Sequence, residues 1–136
     1  PGEYDAVICN PPFYENDLKS GDSQKDIAKH ALSLTYTSLL DVLRRLITRD
    51  GIFSVMLPYR QFQGWQDKAR AEGFYPVYTL NLRQSPVHGI FRTIGIFTQQ
   101  QELPEHHEVC IREAGGKYSA LARRFLGEYY LYFPGD

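Results

Sequence analysis

Asp5-Ala6-Val7-Ile8-Cys9-Asn10-Pro11-Pro12-Phe13 is the stretch of this sequence that decides the fold. The unbroken small and apolar run from Ala6 to Cys9 predicts a strand covered on both faces, as strands of a parallel sheet are. Pro11 and Pro12 cannot donate to a sheet ladder, so the strand must end there. Because open α/β sheets bind ligands at the carboxyl ends of their strands, we expect a functional loop at this point.

The loop offers two oxygen acceptors and an aromatic ring. An asparagine side-chain oxygen and an unpaired proline carbonyl can both accept hydrogens from an exocyclic amine on an aromatic ring. Such an amine is a poor nucleophile because its lone pair is delocalised, and the acceptors would stabilise the positive charge that develops during attack. Phe13 offers a surface on which a flipped base can stack, typically for about 1–3 kcal/mol. The alternative interpretation is a Pro-Pro turn that only ends a buried strand.

Composition bounds the class of protein. The chain has 136 residues, of which 43% are hydrophobic and 23% charged, which is ordinary for a globular domain. The formal net charge is −1, so any nucleic-acid site must be local. Cys9 and Cys110 lie far apart, which favours reduced thiols and a cytoplasmic protein. No apolar run approaches the roughly 20 residues of a membrane-spanning helix, and no residues at ligand spacing predict a metal site.

The glycines do not form the turn that holds a nucleotide cofactor. Gly115-Gly116 is an isolated pair, and Gly64 and Gly73 stand alone. The chain also starts at Pro1 and enters a core strand within a few residues. We therefore expect residues 1–136 to form a single domain that is the second half of a larger protein.

A helix and a second strand are predicted after the loop. Apolar residues three and four positions apart, from Leu39 to Ile47, predict a helix with Thr35 as its cap and Gly51 as its stop. Residues 52–57 predict a buried strand that ends at Pro58. A helix between two strands predicts that the strands are parallel.

The rest of the chain predicts a further helix, a strand pair and a terminal helix. Residues 61–72 should form a helix with Trp65 in the core and Gly73 at its end. Residues 74–83 and 90–98 predict strands whose short connection allows only antiparallel pairing. Residues 99–107 are predicted as a polar linker, residues 108–112 as an edge strand and residues 117–130 as the terminal helix.

Three polar groups near the expected strand ends have two interpretations each. Residues 14–33 form either a substrate lid or a mobile surface loop. Tyr59 and Arg60 either contact substrate or phosphate, or only begin the next helix. The residues around the strand connection form either a solvated turn or a phosphate contact, and they are Arg83, His88 and Arg92.

Asn10 to Phe13 resemble motif IV of the class I S-adenosylmethionine-dependent amino-methyltransferases, (Asp/Asn)-Pro-Pro-(Phe/Tyr). The similarity extends to one subfamily, the bacterial tRNA adenine-N6 methyltransferases that modify the adenine just 3′ of the anticodon in a valine tRNA. Supporting matches cover nearly the whole chain: Asn10 to Tyr14, Lys29-His30 (where the family more often has Arg at the first position), Leu57-Pro58, Ile111-Arg112, Tyr118-Ser119 and residues 130–133. The resemblance implies an α/β fold, the second half of a Rossmann-like class I methyltransferase with strands in the order 4-5-7-6 and flanking helices.

The resemblance also implies an activity, which is methyl transfer from S-adenosylmethionine to the N6 amine of adenine in tRNA. Asn10 would accept from the target amine and border the methyl donor, Pro11 would supply a backbone acceptor, and Phe13 would stack. The implied catalytic positions are Asn10, Pro11, Pro12 and Phe13. The expected substrate contacts are Tyr14, Lys29, His30 and Arg60.

One departure from the family is large, because the glycine-rich loop and the acidic residues that hold the cofactor have no counterpart in this sequence. We therefore expect little cofactor affinity and negligible activity from the chain alone. The absent strand would leave Ala6 to Cys9 as an unpaired edge, which predicts self-association. The expected partner is tRNA or another nucleic acid, and no membrane is expected. Open alternatives are another N-methyltransferase (of DNA or rRNA adenine, or of release-factor glutamine) and a non-catalytic nucleic-acid-binding or dimerisation module.

Overall fold

A computed structural model of the chain describes residues 2–11 and 35–133. These residues form, in chain order, β1 (Tyr4–Cys9), α1 (Tyr36–Leu46), β2 (Ile47–Pro58), α2 (Tyr59–Ala71), β3 (Tyr75–Arg83), β4 (Ile90–Thr98), β5 (Glu105–Cys110) and α3 (Ala120–Leu126). The strands make one sheet in the order β1-β2-β4-β3-β5. β1, β2, β4 and β3 therefore lie in the order expected for strands 4, 5, 7 and 6, and β5 adds a further strand. The predicted α/β class is confirmed.

Strand directions give the sheet two distinct edges. β1 is parallel to β2 and β5 to β3, while β4 is antiparallel to both of its neighbours. The carboxyl ends of four strands and the amino end of β4 thus lie together. We call this side the carboxyl edge (residues 10–11, 58–61, 83–92 and 110–113) and the opposite side the amino edge (residues 3–5, 44–51, 70–75 and 98–105).

The core lies between one face of the sheet and the two longer helices, α1 and α2. Phe53 stacks on Phe97 with ring centroids 5.1 Å apart and meets Phe74 and Trp65 edge-on. All four rings are fully buried, as predicted for Trp65. Full burial of each ring contributes about 1.5–3 kcal/mol, so this cluster fixes the helices on the sheet.

The start of α1 was predicted correctly and its end was not. The Thr35 hydroxyl accepts from the Ser38 backbone N–H at 3.1 Å, and the Ser38 hydroxyl oxygen accepts from the Thr35 backbone N–H. The expected stop at Gly51 is wrong, since the helix ends at Leu46 and β2 begins at Ile47. Ile47 continues the apolar helical pattern, but it pairs with the first residue of β1 and is buried there.

The middle of the chain follows the prediction closely. α2 begins two residues earlier than expected, and Gly73 ends it with a φ of +81°, a conformation that favours glycine. β3 and β4 pair antiparallel across the short connection. Tyr59 and Arg60 form the start of α2.

The last quarter of the chain corrects two boundaries. β5 begins at Glu105, not at residue 108, because His106 and His107 pair in parallel with Thr79 and Leu80 of β3. The helix expected over residues 117–130 is reduced to α3, which is capped by the Ser119 hydroxyl. The residues just before it are held by a bridge between Arg112 and Tyr118. Long-range pairing overrides the local pattern in both places.

The expected cover on both faces of β1 is wrong for the described residues. Val7 and Cys9 pack against the core, whereas Ala6 is exposed and Ile8 is 89% exposed. The reason is that α1 and α2 cover only one face of the sheet. Alternate side chains of this apolar run therefore point away from the core. β1 also lies at the end of the sheet, with one strand neighbour in the described part of the chain. No described helix is long and apolar enough to cross a bilayer.

Candidate functional site at the carboxyl edge

Asn10 is the first residue after β1 and lies at the carboxyl edge. The last paired residue of the strand, Cys9, is opposite Val55 of β2. Asn10 is exposed, and Pro11 directly after it is buried. An exposed amide next to a buried, rotationally restricted residue can present an oxygen acceptor from a rigid support.

Arg60 lies close to Asn10 in the topology, because it is in the first turn of α2, directly after β2. β2 is the strand next to β1, and neighbouring strands run roughly 4.8 Å apart. The fold therefore brings two of the predicted site residues to adjacent strand ends. The other predicted positions lie outside the described residues, as does the proposed lid over residues 14–33; these positions are Pro12, Phe13, Tyr14, Lys29 and His30.

The Cys9 thiol beside this loop is a packing group. It lies against the core cluster, and burial raises the pKa of the thiol above its usual value. A neutral thiol is a weak nucleophile and a small apolar side chain. Cys9 thus supports the strand end and is a poor candidate for covalent chemistry.

A polar cavity of about 360 Å³ opens next to Arg60, between α2 and strands β3 to β5. Two buried hydroxyls lie in its wall. Thr93 donates to the Asn81 side-chain oxygen at 2.7 Å, and the Thr79 hydroxyl lies 2.6 Å from Nδ1 of His106. Residues that line the cavity include Tyr59, Arg60, Thr79, Asn81, Thr93 and His106.

The chemistry of the cavity suits a polar ligand group. The bond from Thr93 orients the Asn81 amide so that its nitrogen keeps two donors for a ligand. No described residue accepts a hydrogen bond from that nitrogen. The sequence did not lead us to predict this cavity. The signal for it was a pair of polar residues two positions apart in a strand, Thr79 and Asn81, which places a hydroxyl and an amide on the same, helix-covered face.

The turn between β3 and β4 is held by contacts within it and by an ion pair to β5. Arg83 forms an ion pair with Glu108 at 2.9 Å and donates from Nη1 to the His88 carbonyl oxygen at 2.6 Å. The bond to Glu108 raises the pKa of Arg83. The Ser85 hydroxyl lies 2.7 Å from Nδ1 of His88. Arg83 is thus bound to β5 and to the turn, and His88 is bound within the turn, while Arg92 has no carboxylate partner among the described residues.

Comparison with known proteins gives relatives of this chain. No protein-family model matches it. It is 27% identical over 130 residues to the tRNA1(Val) (adenine(37)-N6)-methyltransferase of Photorhabdus laumondii, which covers 96% of this chain and 53% of the relative. It is 28% identical over 137 residues to the protein of the same name from Proteus mirabilis, with 98% of this chain and 54% of the relative covered. The chain is homologous to these methyltransferases. It spans about half the length of the curated relatives it matches.

A solved structure supports the same fold. The chain superposes on a predicted O-methyltransferase from Agrobacterium tumefaciens with a TM-score of 0.69 at 10% sequence identity. The match covers 95% of this chain and 53% of the other. At that identity the likeness shows the fold alone. It agrees with the Rossmann-like fold that the resemblance implied.

Proposed function

We propose that this chain is the acceptor half of an S-adenosylmethionine-dependent methyltransferase that acts on the N6 amine of adenine in tRNA. The observation that carries the proposal is the exposed Asn10 at the carboxyl end of β1, at the head of the Asn-Pro-Pro-Phe loop. The activity for which the relatives are named supports the choice of tRNA adenine.

The loop would hold the amine and stabilise the charge that forms on it. The Asn10 side-chain oxygen and the Pro11 carbonyl each accept one N6 hydrogen, which favours a pyramidal nitrogen with an available lone pair. As the nitrogen takes the methyl group, the methyl–sulfur bond of the donor would break and leave a neutral thioether; the nitrogen would become positively charged, and the two fixed oxygens would stabilise that charge. The extra proton can leave to solvent after transfer, so no general base is required.

Apart from Asn10, which would border it, the methyl donor would be held by residues other than those described. S-adenosylmethionine supplies an activated methyl group when bound. The two described glycines with positive φ do not form a cradle for it: Gly73 ends α2 at the amino edge, and the Gly116 N–H already donates to the Glu113 carbonyl within a turn. We expect this chain alone to bind the donor weakly. Calorimetric titration tests this, and low-micromolar affinity for the isolated chain would contradict it.

The reaction is tested by tritium transfer from labelled S-adenosylmethionine. The full-length protein is offered unmodified tRNA, ribosomal RNA and DNA in parallel, and the labelled product is digested to nucleosides. We expect label in N6-methyladenosine from tRNA. Label only in DNA or rRNA would change the substrate, and label in none of them, with RNA binding retained, would support a non-catalytic binding module instead.

We also propose that the chain self-associates through β1. This strand ends the described sheet, and its Tyr4 and Ile8 side chains are 52% and 89% exposed. An unpaired apolar edge favours pairing with a second copy. Sedimentation of the chain at high concentration should therefore show a dimer, and a strictly monomeric species would contradict the proposal. A cytoplasmic location is in keeping with the free thiols of Cys9 and Cys110.

A further inference from the structure

Arginines lie along the carboxyl edge, one for each strand beyond β1. Arg60 follows β2, Arg92 lies in β4 opposite the last residue of β2, Arg83 ends β3, and Arg112 follows β5. In the order of the sheet they are consecutive. At roughly 4.8 Å between strands, the row from Asn10 to Arg112 covers roughly 19 Å, enough for several nucleotides.

Three of these four arginines have a positive charge that is available to an anionic ligand. Glu108 compensates Arg83, but no described carboxylate forms an ion pair with Arg60, Arg92 or Arg112. The first turn of α2 contains no acidic residue and its N-cap makes no side-chain hydrogen bond. The helix dipole therefore adds partial positive charge beside Arg60.

Arg112 is ordered before any ligand arrives. Its Nη1 donates to the Gly116 carbonyl oxygen at 2.6 Å, and its guanidinium lies 4.3 Å from the centroid of the Tyr118 ring. A guanidinium held in this way keeps further N–H donors for a ligand. Because it is already fixed, less side-chain entropy is lost on binding.

The cations lie on both sides of the edge. Arg60 lines the cavity on the helix-covered face of the sheet. Arg92 precedes the buried Thr93, and alternation along the strand places it on the opposite face. Within the edge as defined, Glu113 is the one carboxylate among the described residues. The field is thus locally positive in a chain whose net charge is −1.

We propose that this row of arginines binds the phosphate backbone of the RNA substrate and lays the strand along the carboxyl edge, with the target adenine at Asn10. The identity of the ligand as RNA rests on the proposed function. Guanidinium forks bind phosphate through paired, charge-assisted hydrogen bonds. Such contacts fix register and orientation without reading the base, which leaves recognition of the adenine to the loop.

The test measures binding of an unmodified tRNA transcript to the full-length protein, without methyl donor, between 50 and about 200 mM salt. The carboxyl-edge variant carries Arg60→Ala, Arg92→Ala and Arg112→Ala. The matched control removes three amino-edge arginines by Arg45→Ala, Arg49→Ala and Arg70→Ala.

We expect the carboxyl-edge variant to bind about tenfold more weakly, or worse, at low salt, and its log–log salt slope to fall by about two to three. The amino-edge variant should stay within about twofold of the wild type. If the carboxyl-edge variant fails to fold by circular dichroism, the three single variants are used, each with a slope expected to fall by about one. A version with Lys at the three positions should keep the slope, because counterion release depends on charge.

A wild-type slope in the carboxyl-edge variant would overturn the inference, as would an equal loss in the amino-edge control. The outcome is separable from the proposed reaction. If the wild type transfers the methyl group and the carboxyl-edge variant keeps the wild-type slope, only the inference about the arginine row is refuted. If the carboxyl-edge variant has a lowered slope but the wild type transfers no methyl group to any RNA, the proposed reaction is refuted and the arginine row is supported.

Discussion

The two edges of the sheet differ in charge and in what their charges contact. The described carboxyl edge has four arginines and one carboxylate. The described amino edge also has four arginines, but with six carboxylates, Glu3, Asp5, Asp50, Glu72, Glu102 and Glu105. There the polar groups bond to one another: Arg44 pairs with Glu72 at 3.0 Å, and Thr48 donates to Asp5 at 2.9 Å.

The difference teaches that the number of arginines does not decide the charge of an edge. One arginine at each edge forms an ion pair, Arg44 with Glu72 and Arg83 with Glu108, but the amino edge has six carboxylates and the carboxyl edge as defined has one. Arg44 at the amino edge stabilises the fold, since it also hydrogen-bonds the Glu72 carbonyl oxygen and lies over the Phe74 ring. The arginines of the carboxyl edge lie among fewer carboxylates, and they share that edge with an exposed asparagine, Asn10. We therefore expect substitutions at the amino edge to change stability and substitutions at the carboxyl edge to change function.

The largest difference is expected between substitutions at the two ends of β1. Asn10→Ala removes an acceptor for the developing positive charge and should lower the methyl-transfer rate of the full-length protein about 10²–10³-fold. Asp5→Ala, at the amino end of the same strand, should leave the rate within about twofold. Single-turnover tritium transfer to tRNA measures both, and equal rates in the two variants would remove the distinction between the edges.

A smaller effect is expected where α2 rests on the sheet near the carboxyl edge. A Cβ at Gly95 would lie 2.6 Å from the Phe62 ring and 2.7 Å from that of Phe97. Gly95→Ala should therefore lower the free energy of unfolding by about 1–3 kcal/mol. Gly89→Ala is the control, because nothing lies within 4 Å of its Cβ position. Urea titration gives both values, and similar stabilities would mean that Phe62 moves aside freely.

A reciprocal pair of variants sharpens the comparison. Arg44→Ala loses an exposed ion pair and a cation–π contact, so it should cost about 1 kcal/mol of stability and leave RNA affinity unchanged. Arg92→Ala should stay within about 0.5 kcal/mol in stability and weaken RNA binding. Urea titration and filter binding on both proteins measure the pair. The reverse pattern would contradict the assignment of roles to the edges.

The smallest effect is expected at Cys9. Burial raises the pKa of this thiol in the folded chain, so folding favours the neutral form. The resulting stabilisation is complete below the unfolded pKa of about 8.5 and is lost as pH rises through the folded pKa. The stability of the wild type relative to Cys9→Ala should therefore decrease between about pH 7 and pH 10. Urea titration at the two pH values measures it, and a constant difference would indicate an accessible thiol.

Several features followed from local sequence because their causes are local. Pro11 ends β1, Thr35 caps α1, and Gly73 ends α2, each through the conformational limits of one residue. The position of Asn10 at a strand end was predictable for the same reason. The boundary at Ile47 and the start of β5 were not, because strand partners 43 positions away (Tyr4 and Ile47) and 27 positions away (Thr79 and His106) decide them.

The sequence by itself determined where the strand before Asn10 ends, which segments alternate as helix and strand, and which aromatic side chain enters the core. Only the tertiary structure decided that four arginines spread over 52 positions, Arg60, Arg83, Arg92 and Arg112, share one edge with Asn10. Proline geometry and apolar periodicity act within a few residues, so the sequence displays them directly. The charge of an edge depends on strand order and direction, which are set by pairing between segments that are distant in the chain.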